Sequence, residues 1–220
     1  VTRDPRTDAL NPFGRLAVAH ATSVVGDACL TVSLAGSIFF SQDVGESRTQ
    51  VLLYLALTIA PFAVVGPIIG PALDRSRAGR RTLMAVGCFA RAGVCFLMAG
   101  NLDRLLLYPL AFCALVLSKG HAVAKAALVP AVVPGEHRLV QANSRLSLIS
   151  VVASVAGGIP AAALVAVFDA SVSLVLASLV FVAAGLLALK IPSAGRRAAH
   201  ARSRRRSTRR RAARSARRPS

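Results

Sequence analysis

Two charged side chains stand inside long apolar runs of the sequence, where a charge is energetically expensive. Asp27 lies about midway along residues 16–40, and Arg91 lies within residues 82–100. If these runs cross a bilayer, a charge near its centre costs at least about 2.5 kcal/mol. Asp27 is therefore a candidate for proton coupling or cation recognition; alternatively, it faces a polar interior or caps a local break beside Gly26. Arg91 is expected to bind an anionic ligand, to pair with Asp27, to snorkel towards water or to serve packing.

A histidine shares the helix face predicted for Asp27. His20 precedes Asp27 by seven residues, which is two helical turns, so both side chains lie on one side of a helix. A structural role and a proton relay are both compatible with this position. His20, Asp27 and Arg91 together form the candidate site for substrate binding or proton coupling.

Other chemistry is not indicated by the sequence. We find no Ser/His/Asp set, phosphate-binding glycine loop or metal-ligand cluster, so we expect neither an enzyme nor a bound cofactor or metal. Cys29, Cys88, Cys95 and Cys113 stand in apolar runs without metal-ligand spacing. We interpret them as small hydrophobic residues rather than as disulfide or metal sites.

The composition indicates that these residues are positioned by membrane-spanning helices. Hydrophobic residues make up 55% of the 220-residue chain, and the mean hydropathy is +0.60. A soluble domain averages about 45–50% apolar residues even with glycine counted. The apolar residues occur in continuous runs rather than in alternation, which predicts an all-α membrane protein.

Six of these runs are long enough to cross a hydrocarbon core of about 30 Å at 1.5 Å per residue. The polar segment at residues 130–144 is predicted to connect the fourth run to the fifth. We therefore expect a short N-terminal segment at residues 1–15 and a six-span bundle at residues 16–192. The predicted spans are residues 16–40, 51–73, 82–100, 105–127, 145–168 and 173–189.

The charges between the spans predict the orientation of the bundle. The turns after the first, third and fifth spans carry little net charge, whereas the other side carries four arginines within residues 75–81 and an arginine-rich C-terminal segment. Cytoplasmic loops carry an excess of Lys and Arg, so both termini are expected in the cytoplasm of a multi-pass plasma-membrane protein. Lys119, Lys125 and Arg145 are then predicted at the cytoplasmic interface, where they anchor in headgroups or where a lysine pairs with Asp74.

The loop between the second and third spans carries a family resemblance. Residues 70–81 read GPALDRSRAGRR. This segment resembles the signature loop of the major facilitator superfamily, in which glycine, three residues, Asp-Arg, one residue, glycine and two basic residues follow one another. In this sequence three residues stand where one is expected. The stretches ALVP at residues 127–130 and LVQANSRLS at residues 139–147 are similar to the connection found in exporter-like members.

The resemblance implies a fold and a function. It implies that the six spans form one bundle of a secondary active transporter that exports a small molecule by alternating access. Asp74 would be a latch carboxylate that holds the cytoplasmic side of this bundle to its partner through charge-assisted bonds, although the arginines could instead only set the topology. The cytoplasmic gating loop comprises Gly66, Gly70, Asp74, Arg75, Gly79, Arg80 and Arg81.

The resemblance also implies a partner. Family members have two six-helix bundles with the substrate cavity between them near the midplane. A chain with one bundle would need a separately encoded second half or a homodimer partner. The expected partners are therefore the lipid bilayer, an unidentified small molecule and a second bundle.

Residues 193–220 differ from the rest of the chain. They contain twelve of the 27 Lys and Arg residues and none of the nine acids. Without large apolar side chains this tail cannot build a core and is expected to be disordered. As an alternative function, the chain would be a non-transporting membrane protein whose tail binds anionic lipid or nucleic acid. Of these two, nucleic acid is the less expected partner, because aromatic residues do not interleave the arginines. A third interpretation is that the tail arises by a frameshift and that the chain is a truncated transporter.

Overall fold

The structure, a computed structural model, describes residues 12–40, 79–102, 104, 106–133 and 136–191. Within these ranges it is all-helical, and each helix is long and apolar enough to cross a membrane. The all-α membrane fold is thus confirmed, with the first, third, fourth, fifth and sixth predicted spans present. The second predicted span, residues 51–73, lies outside the described residues. The helices are α1 (Pro12–Phe40), α2 (Gly79–Ala99), α3 (Leu107–Val132), α4 (Glu136–Val167) and α5 (Ala170–Leu189).

The predicted polar connection at residues 130–144 is wrong. α3 continues to Val132, and α4 begins at Glu136. Pro130 lies inside α3; it has no N–H to donate to the carbonyl four residues before it, and the helix nevertheless continues for two more residues. Residues 136–144 are polar, but Glu, Arg, Leu, Gln and Ala among them are good helix formers. Their polarity marks the edge of the apolar span rather than the end of the helix.

The first two helices also begin earlier than predicted. α1 begins at Pro12 rather than at residue 16, and proline is favoured at the first helical position, where its missing N–H would lack a partner anyway. α2 begins at Gly79 rather than at residue 82. The last residues assigned to the arginine loop therefore belong to a helix, and the first turn of α2 is basic.

The connection between α4 and α5 is a two-residue turn that ends in a helix cap. Asp169 has an extended backbone, with φ −165° and ψ 178°. Its carboxylate accepts hydrogen bonds from the Ser171 hydroxyl and from the backbone N–H groups of Ser171 at 2.7 Å and Val172 at 3.2 Å. These bonds, that of the Ser171 hydroxyl first, lower the pKa of Asp169 below its ordinary value. Asp169 thus satisfies N–H groups that the first turn of a helix leaves without partners.

Close contacts at glycines bring the helices together. α1 packs against α4 and α5, and α2 packs against α5 and α3. A Cβ atom on Gly157 of α4 would lie 2.9 Å from the Val25 backbone of α1, and one on Gly185 of α5 would lie 2.8 Å from the Phe89 ring of α2. Small residues at helix interfaces allow this approach in a membrane, where no hydrophobic force drives the helices together.

Two apolar clusters lie along the bundle, with polar side chains between them. The first cluster joins the beginnings of α1, α2 and α4 to the ends of α3 and α5, and the second joins the opposite halves of these helices. The first includes Leu16, Met84, Leu128, Leu146 and Ile191. The second includes Cys29, Cys95, Met98, Leu107, Leu174 and Phe181.

Candidate functional site

The polar side chains between the two clusters form the candidate site. They come from four helices, with α1, α2 and α3 each contributing a polar stretch flanked by apolar residues. Because apolar clusters lie on both sides, this layer is well inside the spans rather than at an end of the bundle. We call it the polar layer; it comprises His20, Ser23, Asp27, Cys88, Arg91, Ser118, His121, Lys125 and Ser150.

Its centre is an ion pair between α1 and α2. Nη1 of Arg91 donates to Oδ1 of Asp27 at 2.8 Å. The Arg91 side chain is 0% exposed and the Asp27 side chain is 31% exposed. Of the alternatives open for Arg91, the structure shows the pairing with Asp27, and full burial excludes snorkelling. α1 is helical throughout Pro12–Phe40, so Asp27 does not cap a break beside Gly26.

The guanidinium group of Arg91 is also bonded on its other sides. Nη2 donates to Ser23 Oγ at 2.8 Å and contacts Cys88 Sγ at 3.6 Å, and Nε donates to the Gly87 carbonyl at 3.4 Å. The Phe181 ring of α5 lies beneath it, with Arg91 Cζ 4.4 Å from the ring centroid. This is within cation–π range. The guanidinium is thus held by α1, α2 and α5 together.

The Asp27 carboxylate is bonded on one oxygen. Ser118 of α3 donates to Oδ1 at 3.0 Å, the same oxygen that Arg91 contacts. Among the described residues no hydrogen bond reaches Oδ2. A partly exposed carboxylate oxygen beside a buried cation can accept a proton or meet a polar ligand.

The second part of the polar layer contains two histidines. His20 Nε2 lies 2.8 Å from Ser150 Oγ of α4 and 3.3 Å from Lys125 Nζ of α3. His121 Nδ1 lies 3.7 Å from Cys88 Sγ. The two imidazole rings are nearly parallel, at 18°, with centroids 6.3 Å apart. Cys88 contacts both Arg91 and His121, so it links the two parts of the layer.

Apart from Lys125, which was predicted at the cytoplasmic interface, several members of the layer were not predicted as site residues. Ser118, His121 and Lys125 follow one another at helical spacing on α3, and this polar stripe in an otherwise apolar run was the available signal. Ser23 precedes Asp27 by one turn, and Cys88 precedes Arg91 by one turn. Ser150 carries no comparable signal, because α4 contains several serines and their spacing does not distinguish this one.

The residues predicted at the cytoplasmic interface differ in exposure. Lys125 turns inward to His20, whereas Lys119 and Arg145 are exposed. Of the gating loop, Gly66, Gly70, Asp74 and Arg75 lie outside the described residues. Gly79 and Arg80 open α2.

At that end of the bundle, arginines bind the end of the last helix. Nη1 of Arg81 donates to the Ile191 carbonyl at 3.2 Å, and Nη1 of Arg15 donates to the Lys190 carbonyl at 2.9 Å. Cations at a helix C-terminus complement its dipole. The beginnings of α1 and α2 and the end of α5 are therefore tied together at one end.

The chain resembles known proteins over most of its length. The family model described as Major Facilitator Superfamily matches residues 16–220. The protein named "Uncharacterized protein ML2143" from Mycobacterium leprae (strain TN) is 38% identical over 206 residues, which cover 87% of this chain and 36% of the relative. "Uncharacterized protein Rv0876c" from Mycobacterium tuberculosis (strain ATCC 25618 / H37Rv) is 40% identical over 144 residues, covering 62% of this chain and 26% of the relative.

The chain spans about a third or less of the length of these curated relatives. No solved structure matches it significantly. The match at residues 16–220 includes both the polar layer and the arginine loop at residues 70–81. The chain therefore belongs to the major facilitator superfamily, as the arginine loop indicated.

Proposed function

We propose that this chain forms one bundle of a secondary active transporter that exports a small molecule across the plasma membrane by alternating access. Membership of the family supports transport, since its members are transporters rather than enzymes. The second bundle would come from a further six-helix half or from a second copy of the chain. In transporters with two bundles, the substrate site lies near the midplane between them, and a polar layer with an apolar cluster on each side of it supports such a position.

The observation that carries the proposal is the ion pair between Asp27 and Arg91. Two charges inside membrane spans are costly to insert, and replacing a buried ion pair with well-packed apolar residues is often neutral or stabilising. Stabilisation of the bundle therefore does little to account for the ion pair. A functional role gives a reason, because intramembrane ionisable residues typically line transport pathways.

The pair can act as a two-state element in proton coupling. Among the described residues, the charged group in contact with Asp27 is Arg91 of α2; Lys125, His20 and His121 lie in the same polar layer. Proton uptake at the open oxygen of Asp27 would remove its charge and leave Arg91 without an anion. The bundle would then favour a conformation in which another anion or water contacts Arg91. Coupling of this kind needs both charges, and neither alone is sufficient.

Everted membrane vesicles provide the test. Vesicles from cells that express the full chain would be energised by respiration and incubated with a metabolite extract, and mass spectrometry would identify compounds that accumulate. We expect at least one compound to accumulate only with the chain present and only while the proton gradient lasts. Asp27→Asn should abolish this accumulation. Thr31→Val, which alters an exposed residue one turn along α1, should retain it. Equal accumulation with and without the chain would contradict the proposal.

The end of the bundle that carries Arg15, Arg81 and Lys190 supports cytoplasmic termini, because positive charge is biased towards the cytoplasm.

The competing function rests on the twelve arginines of residues 193–220. Deleting those residues separates the two functions. A transporter should retain accumulation in the vesicle assay, whereas a lipid-binding protein should lose its association with vesicles rich in phosphatidylglycerol and show no accumulation before or after the deletion.

A further inference from the structure

Lys125 makes its polar contact with another basic side chain. Its Nζ atom lies 3.3 Å from Nε2 of His20, and the side chain is half-buried, whereas Lys119 and Lys190, the other two lysines of the chain, are exposed. A positive charge inside a membrane span is costly unless it is paired. The protonation states of the two nitrogens in this contact therefore need an explanation.

A serine of α4 determines which nitrogen of His20 carries the proton. The hydroxyl of Ser150 donates to the Leu146 carbonyl at 2.8 Å. A hydroxyl has a single hydrogen to donate, so towards Nε2 of His20, at 2.8 Å, Oγ of Ser150 acts as an acceptor. Nε2 therefore carries the proton. Nδ1 is buried and has no partner among the described residues; it is the lone pair of a neutral ring, since a proton there would be a buried donor without an acceptor.

This proton leaves an ammonium group at Lys125 without an acceptor. An ammonium group has three donors and no lone pair, so it would oppose the N–H of His20 at 3.3 Å. An uncharged amine has a lone pair, which accepts from the same N–H that reaches Ser150. The contact is therefore a hydrogen bond only when Lys125 is uncharged. Burial without a counter-ion favours the uncharged form as well.

The other groups of the polar layer do not supply an anion to Lys125. The carboxylate of the layer, that of Asp27, is paired with Arg91. α4 contributes the neutral hydroxyl of Ser150, and α5 has no ionisable residue over Ala170–Leu189. The titratable and charged groups of the layer that surround Lys125 are His20 and Asp27 of α1, Cys88 and Arg91 of α2, and His121 of α3.

We propose that Lys125 is uncharged in this arrangement of the bundle and forms, with His20, a second proton-binding site besides Asp27. A proton that binds Nζ creates an ammonium group, which needs Nε2 of His20 as its acceptor. The neutral ring then carries its own proton on Nδ1, the position that is vacant in this structure. Oγ of Ser150 then faces a lone pair, so the hydrogen bond between α1 and α4 at this level is lost.

The inference deepens the proposed function. It rests on that function where it couples the bound proton to transport, whereas the charge of Lys125 does not depend on it. A proton at Asp27 removes a negative charge, and a proton at Lys125 adds a positive one. Each raises the net charge of the polar layer by one, so the two protons oppose each other. We therefore expect the layer to hold one of them at a time.

NMR of the lysine side chains provides the test. The full chain, labelled with ¹³C at lysine, would be purified in dodecyl maltoside, and the Cε signals, which report the charge of the amine, would be recorded at pH 7.5. Lys119→Arg and Lys190→Arg identify two of the three lysine signals, so the third belongs to an unaltered Lys125. We expect this third signal at the position of an uncharged amine, and unfolding by sodium dodecyl sulfate should move it to the ammonium position. An ammonium signal of Lys125 in the folded chain would overturn the inference.

Serine variants test the link between Lys125 and the His20 proton. Ser150→Ala removes the acceptor that keeps this proton on Nε2, so the Lys125 signal should move towards the ammonium position. Ser150→Thr keeps the hydroxyl and should keep the wild-type signal. Ser154→Ala alters an exposed serine one turn along α4 and should change nothing. An unchanged signal in Ser150→Ala, with the variant folded by circular dichroism, would overturn the assignment of the His20 proton as the cause.

The vesicle assay separates this inference from the proposed function. Lys125→Met cannot take up a proton and should abolish accumulation, whereas Lys190→Met, at an exposed position, should retain it. Full accumulation by Lys125→Met would overturn the coupling of this proton to transport. Accumulation by a wild-type chain whose Lys125 is an ammonium group would overturn the second proton site alone. An uncharged Lys125 in a chain that accumulates nothing would overturn transport alone.

Discussion

Neutralising Asp27 and Arg91 together should cost far less stability than neutralising either one. The relevant variants are Asp27→Asn, Arg91→Met and the double variant. Methionine suits position 91 because Arg91 is one of the largest fully buried side chains, and a long apolar residue fills most of its volume. Asparagine keeps a side-chain oxygen near Ser118. The comparison therefore changes charge with little change in packing.

The exposures of the two side chains set the expected losses in the free energy of unfolding. Asp27→Asn leaves the guanidinium, 0% exposed, with only neutral acceptors and the Phe181 ring, so the free energy of unfolding should fall by about 3–5 kcal/mol. Arg91→Met leaves a carboxylate that is 31% exposed and that can be hydrated or take up a proton. Its loss should be smaller, about 1–3 kcal/mol. The double variant leaves no charge without a partner and should lie within about 1 kcal/mol of wild type.

Unfolding by sodium dodecyl sulfate in maltoside micelles, followed by circular dichroism, measures these differences. A matched control is Lys190→Met, an exposed charge that should change stability by no more than about 0.5 kcal/mol. Transport should be lost in the double variant despite its restored stability. The reasoning is refuted if the two single losses simply add, or if Arg91→Met costs more than Asp27→Asn.

Two other predictions concern helix contacts. Gly157→Ala should destabilise the bundle by about 1–3 kcal/mol, because its Cβ would meet the facing helix backbone at 2.9 Å. Gly158→Ala, whose Cβ would have nothing within 4 Å, should be neutral or slightly stabilising. Equal effects of the two variants in the same unfolding assay would contradict the close contact at Gly157. Asp169→Ala should lower stability near neutral pH. Because folding lowers the pKa of Asp169, its contribution is present above the ordinary value of 3.8 and is lost as the pH falls through the folded value. Unfolding curves at pH 7 and pH 3 should therefore show the difference between variant and wild type shrinking on acidification, and a constant difference would argue against the cap.

The described helices could be predicted well from the sequence, because a membrane span needs a long apolar run and the runs are separated by polar residues. Not all of their ends could: α1 and α5 end where predicted, whereas α4 begins nine residues before the predicted residue 145. Residues 136–144 show why: polarity at the edge of a membrane predicts exposure to water, and a helix continues into water if its residues favour helix formation. Hydropathy therefore located the spans but misplaced the connection between the fourth and fifth predicted spans.

The candidate site could be predicted only in part. Asp27, His20 and Arg91 stood out because charged or polar residues are rare in apolar runs. Which side chains pair between two helices depends on how far each helix is rotated about its axis. A sequence without apolar periodicity gives little information on that rotation. Four interpretations of Arg91 therefore stayed open until the helices were packed. Lys125 was misleading for the same reason, since a lysine near a helix end commonly faces headgroups but here turns to His20.

The packing around one aromatic ring, that of Phe181, decides this helix rotation, because it joins the apolar and the polar parts of the bundle. Phe181 lies beneath the guanidinium of Arg91, and its Cε1 atom would be only 2.9 Å from a Cβ on Gly26. Gly26 is adjacent to Asp27, the partner of Arg91, so one short segment of α1 supplies both the carboxylate and the space for the ring. Because a Cβ at position 26 would meet the ring at this distance, a larger residue there requires the ring to shift relative to the cation. Gly26 is thus a positioning residue for the ion pair, although it carries no polar side chain.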